Sequence, residues 1–118
     1  MILHLVLFTP RPGRSAAEQI RLATALEQAL TTIPTVVSYR IGRRVRTGAA
    51  YDALPGSFEF CGVMELEDLE GLAGYLSHPA HVELWQLFYT TSAEALAADF
   101  DAVGSSPAAA LRAWTGNR

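Results

Sequence analysis

An α+β fold of order βαββαβ, built on a four-stranded antiparallel sheet, is predicted by three features of the sequence. Apolar segments of strand length lie at residues 2–8, 36–45, 57–66 and 96–101. Stretches with helical spacing of apolar residues separate the first segment from the second and the third from the fourth. A proline corner, Ser77-His78-Pro79, breaks the second helical stretch in two. The 118 residues suffice for one core of ordinary size and not for two.

Ile2 to Phe8 is apolar without alternation and reads as a strand buried on both faces, ended by Thr9-Pro10-Arg11-Pro12-Gly13. Ser15-Ala16-Ala17-Glu18 is a capping box. Ile20, Leu22, Leu26, Ala29, Leu30 and Ile33 follow at helical spacing, and Pro34 closes the helix. Val36 to Val45 is the second strand, with Val37, Tyr39, Ile41 and Val45 on one face and Ser38, Arg40 and Arg44 on the other. Thr47 to Gly56 is a loop of mostly small residues. Ser57 to Leu66 is the third strand, with Phe58, Phe60, Met64 and Leu66 on one face and Glu59, Cys61, Val63 and Glu65 on the other.

Asp68 caps a second helix through Leu69, Leu72, Ala73 and Leu76, with Tyr75 beside its apolar stripe. Pro79 stops that helix by Ser77 or His78 and opens another, because proline suits a helix's first turn. Ser77 or His78 caps the new helix, which runs from the corner to about Ala95 with Val82, Trp85, Leu87, Phe88 and Tyr89 as its bulky residues. Leu96 to Asp101 is a short fourth strand. Gly104-Ser105-Ser106-Pro107 punctuates the chain, and Ala108 to Trp114 makes a last helical turn or two. Residues 1–103 form one domain and 104–118 a C-terminal extension. The order is the split βαβ of ferredoxin-like folds. Such a sheet carries helices on one face only. Its other, apolar face needs cover, which a second subunit supplies, so a homodimer is expected.

With a net charge of −3 and no lysine, the chain lacks the basic footprint of a nucleic-acid binder. Its one cysteine, Cys61, has no internal disulfide partner, which suits a reducing compartment. The N-terminal apolar run is too short to span a membrane and has no positively charged leader. A cytoplasmic protein with neither membrane nor nucleic-acid partner is expected.

Chemistry concentrates at Tyr75-Leu76-Ser77-His78-Pro79-Ala80-His81, which holds two of the three histidines. His81 falls in the first turn of a helix, where the partial positive charge of the terminus favours neutral imidazole. His81 is a candidate proton acceptor and Tyr75 a candidate hydrogen-bond donor, while His4, flanked by Ile2 and Val6 on its strand face, can orient either. The alternative is that all three are buried polar groups satisfied by ordinary partners. His78 and Pro79 form a structural corner in which His78 bonds free backbone groups. Phe58, Phe60, Trp85, Phe88 and Tyr89 line an apolar pocket or belong to the core. Zinc usually takes a further ligand beyond the three histidines, so no metal is expected. The basic run Arg40, Arg43, Arg44 and Arg46 and the acidic run Glu65, Glu67, Asp68 and Glu70 form a solvated rim or pair across strand ends.

Met1 to Phe8, Ile33-Pro34 before the second strand, Tyr75-Leu76-x-His78-Pro79-Ala80-His81 and Ala98-Asp99-Phe100-Asp101 together resemble the stress-responsive dimeric α/β-barrel domain family. The resemblance covers Met1 to about Val103. It implies ferredoxin-like subunits whose sheets meet face to face in a dimeric α/β barrel. From the family's plant polyketide cyclase type it also implies closure of a poly-β-keto chain by aldol condensation, without metal or organic cofactor. In that type a histidine on the first strand, another on the third, and the Tyr and last His of the corner surround the reacting chain. His4, Tyr75 and His81 stand at matching positions, whereas Phe60 takes the place of the third-strand histidine by ungapped count. Enzyme status is left open; the best enzyme expectation is a cyclase-like protein acting on an apolar or polyketide-like small molecule. The alternatives are a non-catalytic, small-molecule-binding or stress-response dimer and, by fold analogy, a cofactor-free monooxygenase.

Overall fold

The structure, a computed structural model, describes residues 1–53, 56 and 58–115. Strand β1 (Ile2–Pro10) leads to helix α1 (Ala16–Thr32), β2 (Val36–Arg43) and, past a short 3-10 turn at Ala50–Ala53, β3 (Phe60–Leu66). Helices α2 (Leu69–Ser77) and α3 (Pro79–Thr91) precede β4 (Ser92–Asp101), and α4 (Pro107–Thr115) follows. The four strands form one sheet in the order β2-β3-β1-β4, antiparallel throughout. This is the ferredoxin-like arrangement expected from the sequence.

Directly opposed residues in an antiparallel ladder share a face, so the register fixes which side chains meet. Tyr39, Met64, His4 and Asp99 form one row across the sheet on the face toward the helices. On that side the core gathers Ile2, Ala29, Ile33, Leu66, Leu72 and Leu84, with Leu66 completely buried. The opposite face presents Leu3, Leu5, Leu7, Val63, Leu96 and Phe100, of which Leu96 and Phe100 are half exposed.

Local chemistry sets the helix ends. The Ser15 hydroxyl accepts from the Glu18 amide at 3.1 Å, while the Glu18 carboxylate turns to Arg11 (3.5 Å). Asp68 accepts from the Gly71 amide at 2.8 Å and caps α2. Of the two residues that could cap α3, His78 does so: its Nδ1 accepts from the Ala80 amide at 3.1 Å, and Pro79 takes the first helical position.

Several boundaries differ from the sequence reading, among them β1, which runs to Pro10 instead of ending at Phe8. Helix α3 stops at Thr91 instead of reaching Ala95, and β4 starts at Ser92 with no loop between them. The alanine-rich stretch 92–98 favours helix on propensity alone, but pairing with β1 draws it into the sheet (Phe8 opposite Ala95, Leu7 opposite Leu96). The assigned β2 ends at Arg43, although the Arg44 amide still donates to the Glu59 carbonyl at 2.7 Å. Strand β3 begins at Phe60; Ser57, where the sequence reading began it, lies outside the described residues. Among the basic residues beyond β2, Arg46 pairs with Glu59 at 2.6 Å and Arg44 donates to the Gly56 carbonyl at 3.1 Å, so neither turns to the acidic run. No helix among the described residues is long and apolar enough to cross a membrane.

Candidate functional site

The inner sheet face, α1 and the α2–α3 corner enclose a cavity of about 590 Å³. That volume falls within the range of small-molecule sites. His4, Tyr75, His81 and Asp99 lie at one end of it; Phe8, Phe60 and Phe88 form a mainly apolar middle. Leu76, Trp85, Tyr39 and Ile41 also line it and are each nearly half exposed, which marks an opening between the edge strand β2 and α3.

The polar end is built from three elements. The α2 turn carries Tyr75, 2% exposed, against the ring of His4 on β1 (centroids 5.5 Å apart) and the ring of His81 on α3 (4.6 Å). Proline at position 79 creates this arrangement by ending α2 and restarting the chain as α3, so that His81 folds back over the last turn of α2. The His81 Nδ1 lies 3.0 Å from the Leu76 carbonyl. A carbonyl oxygen only accepts, so Nδ1 bears the proton and neutral His81 keeps its Nε2 lone pair free. Burial holds the His81 pKa below its ordinary value; the bond to Leu76 opposes that shift and the neighbouring His4 adds to it. Tyr75 is moved the other way: burial, then the negative charge of Asp99, push its hydroxyl up to about 12, so it stays protonated through neutral pH.

His4 is buried and its Nδ1 lies 2.5 Å from Asp99 Oδ1. The carboxylate accepts and fixes the ring's orientation beneath Tyr75. The sequence reading did not single out Asp99 as a site residue. Its signal was an acidic side chain in an otherwise alanine-rich strand, two residues from Asp101. Only the β1–β4 register, which sets His4 opposite Asp99, tells the two acids apart.

The predicted aromatic lining divides in two. Phe60, Trp85 and Phe88 line the cavity, with Phe60 stacked on Phe8 at 5.4 Å and Phe8 edge-on to Phe88 at 4.8 Å. Phe58 and Tyr89 lie outside it. Phe58 lies two residues before the first residue of β3, and Tyr89, 72% exposed, sits one position past Phe88 on the outer side of α3, next to Trp85. His78 and Pro79 shape the corner and do not line the cavity. Among the described residues no group of three or more His, Cys, Asp or Glu side chains is arranged to hold a metal ion.

Comparison with known proteins places this architecture. No curated protein sequence matches the chain. The hydroxynitrile lyase of Passiflora edulis superposes with a TM-score of 0.76 at 11% identity, covering 90% of this chain and 96% of the lyase. A dimeric ferredoxin-like protein of unknown function from Thermobifida fusca gives 0.65 at 25% identity, covering 84% of this chain and 88% of its own. SnoaB, a cofactor-independent oxygenase from Streptomyces nogalater, gives 0.64 at 14% identity, covering 90% and 96%. The family model for the stress-responsive A/B barrel domain, Dabb, matches residues 2–102. With that match spanning all four strands and the corner helices, the chain belongs to the stress-responsive α/β-barrel (Dabb) family.

Proposed function

We propose that the protein is a cofactor-independent acid–base enzyme that enolises a carbonyl compound and closes a polyketide-like chain by aldol addition. The observation that carries this reading is the neutral His81 ring. Its proton is committed to the Leu76 carbonyl, the ring lines the mainly apolar cavity, and it packs on a tyrosine that remains protonated. His81 Nε2 takes a proton from the carbon next to a carbonyl. The C–H electron pair forms the enolate double bond, and the Tyr75 hydroxyl donates to the resulting oxygen anion. The enolate carbon then attacks a second carbonyl of the same chain. A C–C bond forms, and the new alkoxide takes its proton from the His81 imidazolium. His4, held by Asp99, acts as a positioning residue for Tyr75.

The lyase and the oxygenase among the structural neighbours illustrate that one fold hosts several chemistries, so the assignment rests on the side chains and not on the architecture. We also read the protein as a cytoplasmic homodimer. The exposed apolar face of the sheet is the surface a second copy would cover, and related proteins are described as dimeric.

Deuterium uptake tests the chemistry. Methyl ketones and β-diketones of increasing chain length are incubated with the protein in D2O, and exchange at the α-carbon is followed by NMR. Exchange above the buffer rate is expected, falling about 10²- to 10⁴-fold in His81→Ala. Ketones that bind without any acceleration over that variant would make the cavity a binding site and refute the catalytic reading.

A further inference from the structure

We propose that the end of the cavity remote from His81 is a carboxylate subsite, and that the ligand is an elongated, mainly apolar acid lying lengthwise between Arg14 and the His81–Tyr75 cluster. The proposal rests on the cavity being the ligand site, as read above, and adds the ligand's class and direction.

Two rulers give the cavity its length. His4 and Pro10 both line it and are six residues apart on β1, a span of about 20 Å at roughly 3.3 Å per residue. His81 and Thr91 also line it and are ten residues apart on α3, about 15 Å at 1.5 Å per residue. The two elements are tied at the far end, where the Arg11 amide donates to the Thr91 carbonyl at 2.7 Å. The site is therefore a channel whose catalytic groups occupy one end only.

Arg14 lines the opposite end. Its guanidinium is held by neutral acceptors. Nη1 reaches the Arg11 carbonyl at 3.4 Å; with the Gln19 amide oxygen turned toward it, Nε and Nη2 donate at 3.0 and 2.8 Å. Among the described residues no carboxylate pairs with it. Glu18, which shares this end of the cavity, has its carboxylate directed to Arg11 at 3.5 Å. The two arginines and one glutamate leave an excess positive charge beside an apolar channel. The N-terminus of the 17-residue α1, starting at Ala16, adds to it. The Ser92 hydroxyl, at the same end and buried, has no partner among the described residues. A planar fork of N–H donors at the end of an apolar channel fits a carboxylate that terminates an apolar chain.

Equilibrium binding by calorimetry, using decanoate and methyl decanoate as probes, tests the proposal on the wild-type protein and Arg14→Gln. The acid and the ester share their chain and differ in charge. Wild type is expected to bind the acid on the order of tenfold more tightly than the ester. Arg14→Gln should erase that preference, with circular dichroism reporting that the variant is folded. Equal binding of the two probes to wild type, or a preference that survives Arg14→Gln, would overturn the subsite while leaving the cavity as a site for apolar chains. Failure of both probes to bind would overturn the subsite together with the functional reading on which it rests.

Discussion

Deleting the Asp99 carboxylate is expected to cost stability through His4, and the size of the loss follows from the geometry. The His4 side chain is 7% exposed, and its Nδ1–H is directed at Asp99 at 2.5 Å. A buried donor left unpaired costs about 1–3 kcal/mol, and a hydrogen bond to a charged acceptor contributes about 1.5–3 kcal/mol. The Asp99 side chain is 38% exposed, so solvent screens the pair and lowers the expected coupling to about 1–2 kcal/mol. The cycle uses Asp99→Ala, His4→Phe and the double variant; phenylalanine keeps a ring against Tyr75. Urea unfolding is followed by tryptophan fluorescence at one fixed protein concentration, since association enters the apparent stability of a dimer. Independent sites add to within about 0.5 kcal/mol, so a coupling energy below that would refute the claim that Asp99 holds His4. Asp99→Asn retains an acceptor without the charge and should keep about half of the coupling, because charge-assisted bonds are roughly twice as strong as neutral ones.

Three further outcomes are expected. Tyr75→Phe should lower α-carbon exchange by about 10²- to 10³-fold with its fluorescence unfolding midpoint little changed; a rate equal to wild type would remove the hydroxyl from the mechanism. Leu96→Asp, on a half-exposed position of the outer sheet face, should convert a dimer to a folded monomer in light scattering, and a dimer that persists would put the interface elsewhere. The pH profile of stability carries the signature of His81. Because its folded-state pKa is depressed, the unfolded chain binds a proton that the folded chain refuses between that depressed value and about 6.5. Stability should thus rise with pH through this window and level off above it, and His81→Gln should flatten that segment of the melting-temperature curve.

The fold was legible because its signals are local. Uninterrupted apolar residues in β1, the Ser15 and Asp68 caps and the Pro79 break each act within a few residues, and together they leave few topologies open. The ends of α3 and β4 were less legible, since residues 92–98 have the composition of a helix and become strand only by pairing with β1. The site divides along the same line. Tyr75 and His81 are six residues apart across a proline corner, so their proximity could be inferred. Asp99 is 95 residues from His4, and nothing short of the sheet register joins them. Tyr89 was drawn into the predicted pocket because aromatic character alone does not distinguish position 88 from position 89, whereas one residue turns a helix by about 100°.

The register also bears on Phe60, which stands where the cyclase type of the family has a histidine by ungapped count. On β3 the residue opposite His4 is Met64; Phe60 lies opposite Phe8, four residues or about 13 Å further along β1. Phe60 belongs to the aromatic column with Phe8 and Phe88 in the middle of the channel, well away from the His81 end. The ring therefore takes no base from the cluster around Tyr75. It extends the apolar wall along which a chain would lie between the acid–base groups and Arg14. In the proposed reaction proton transfer would fall to the single pair His81 and Tyr75, with the middle of the channel supplying apolar contact and alignment.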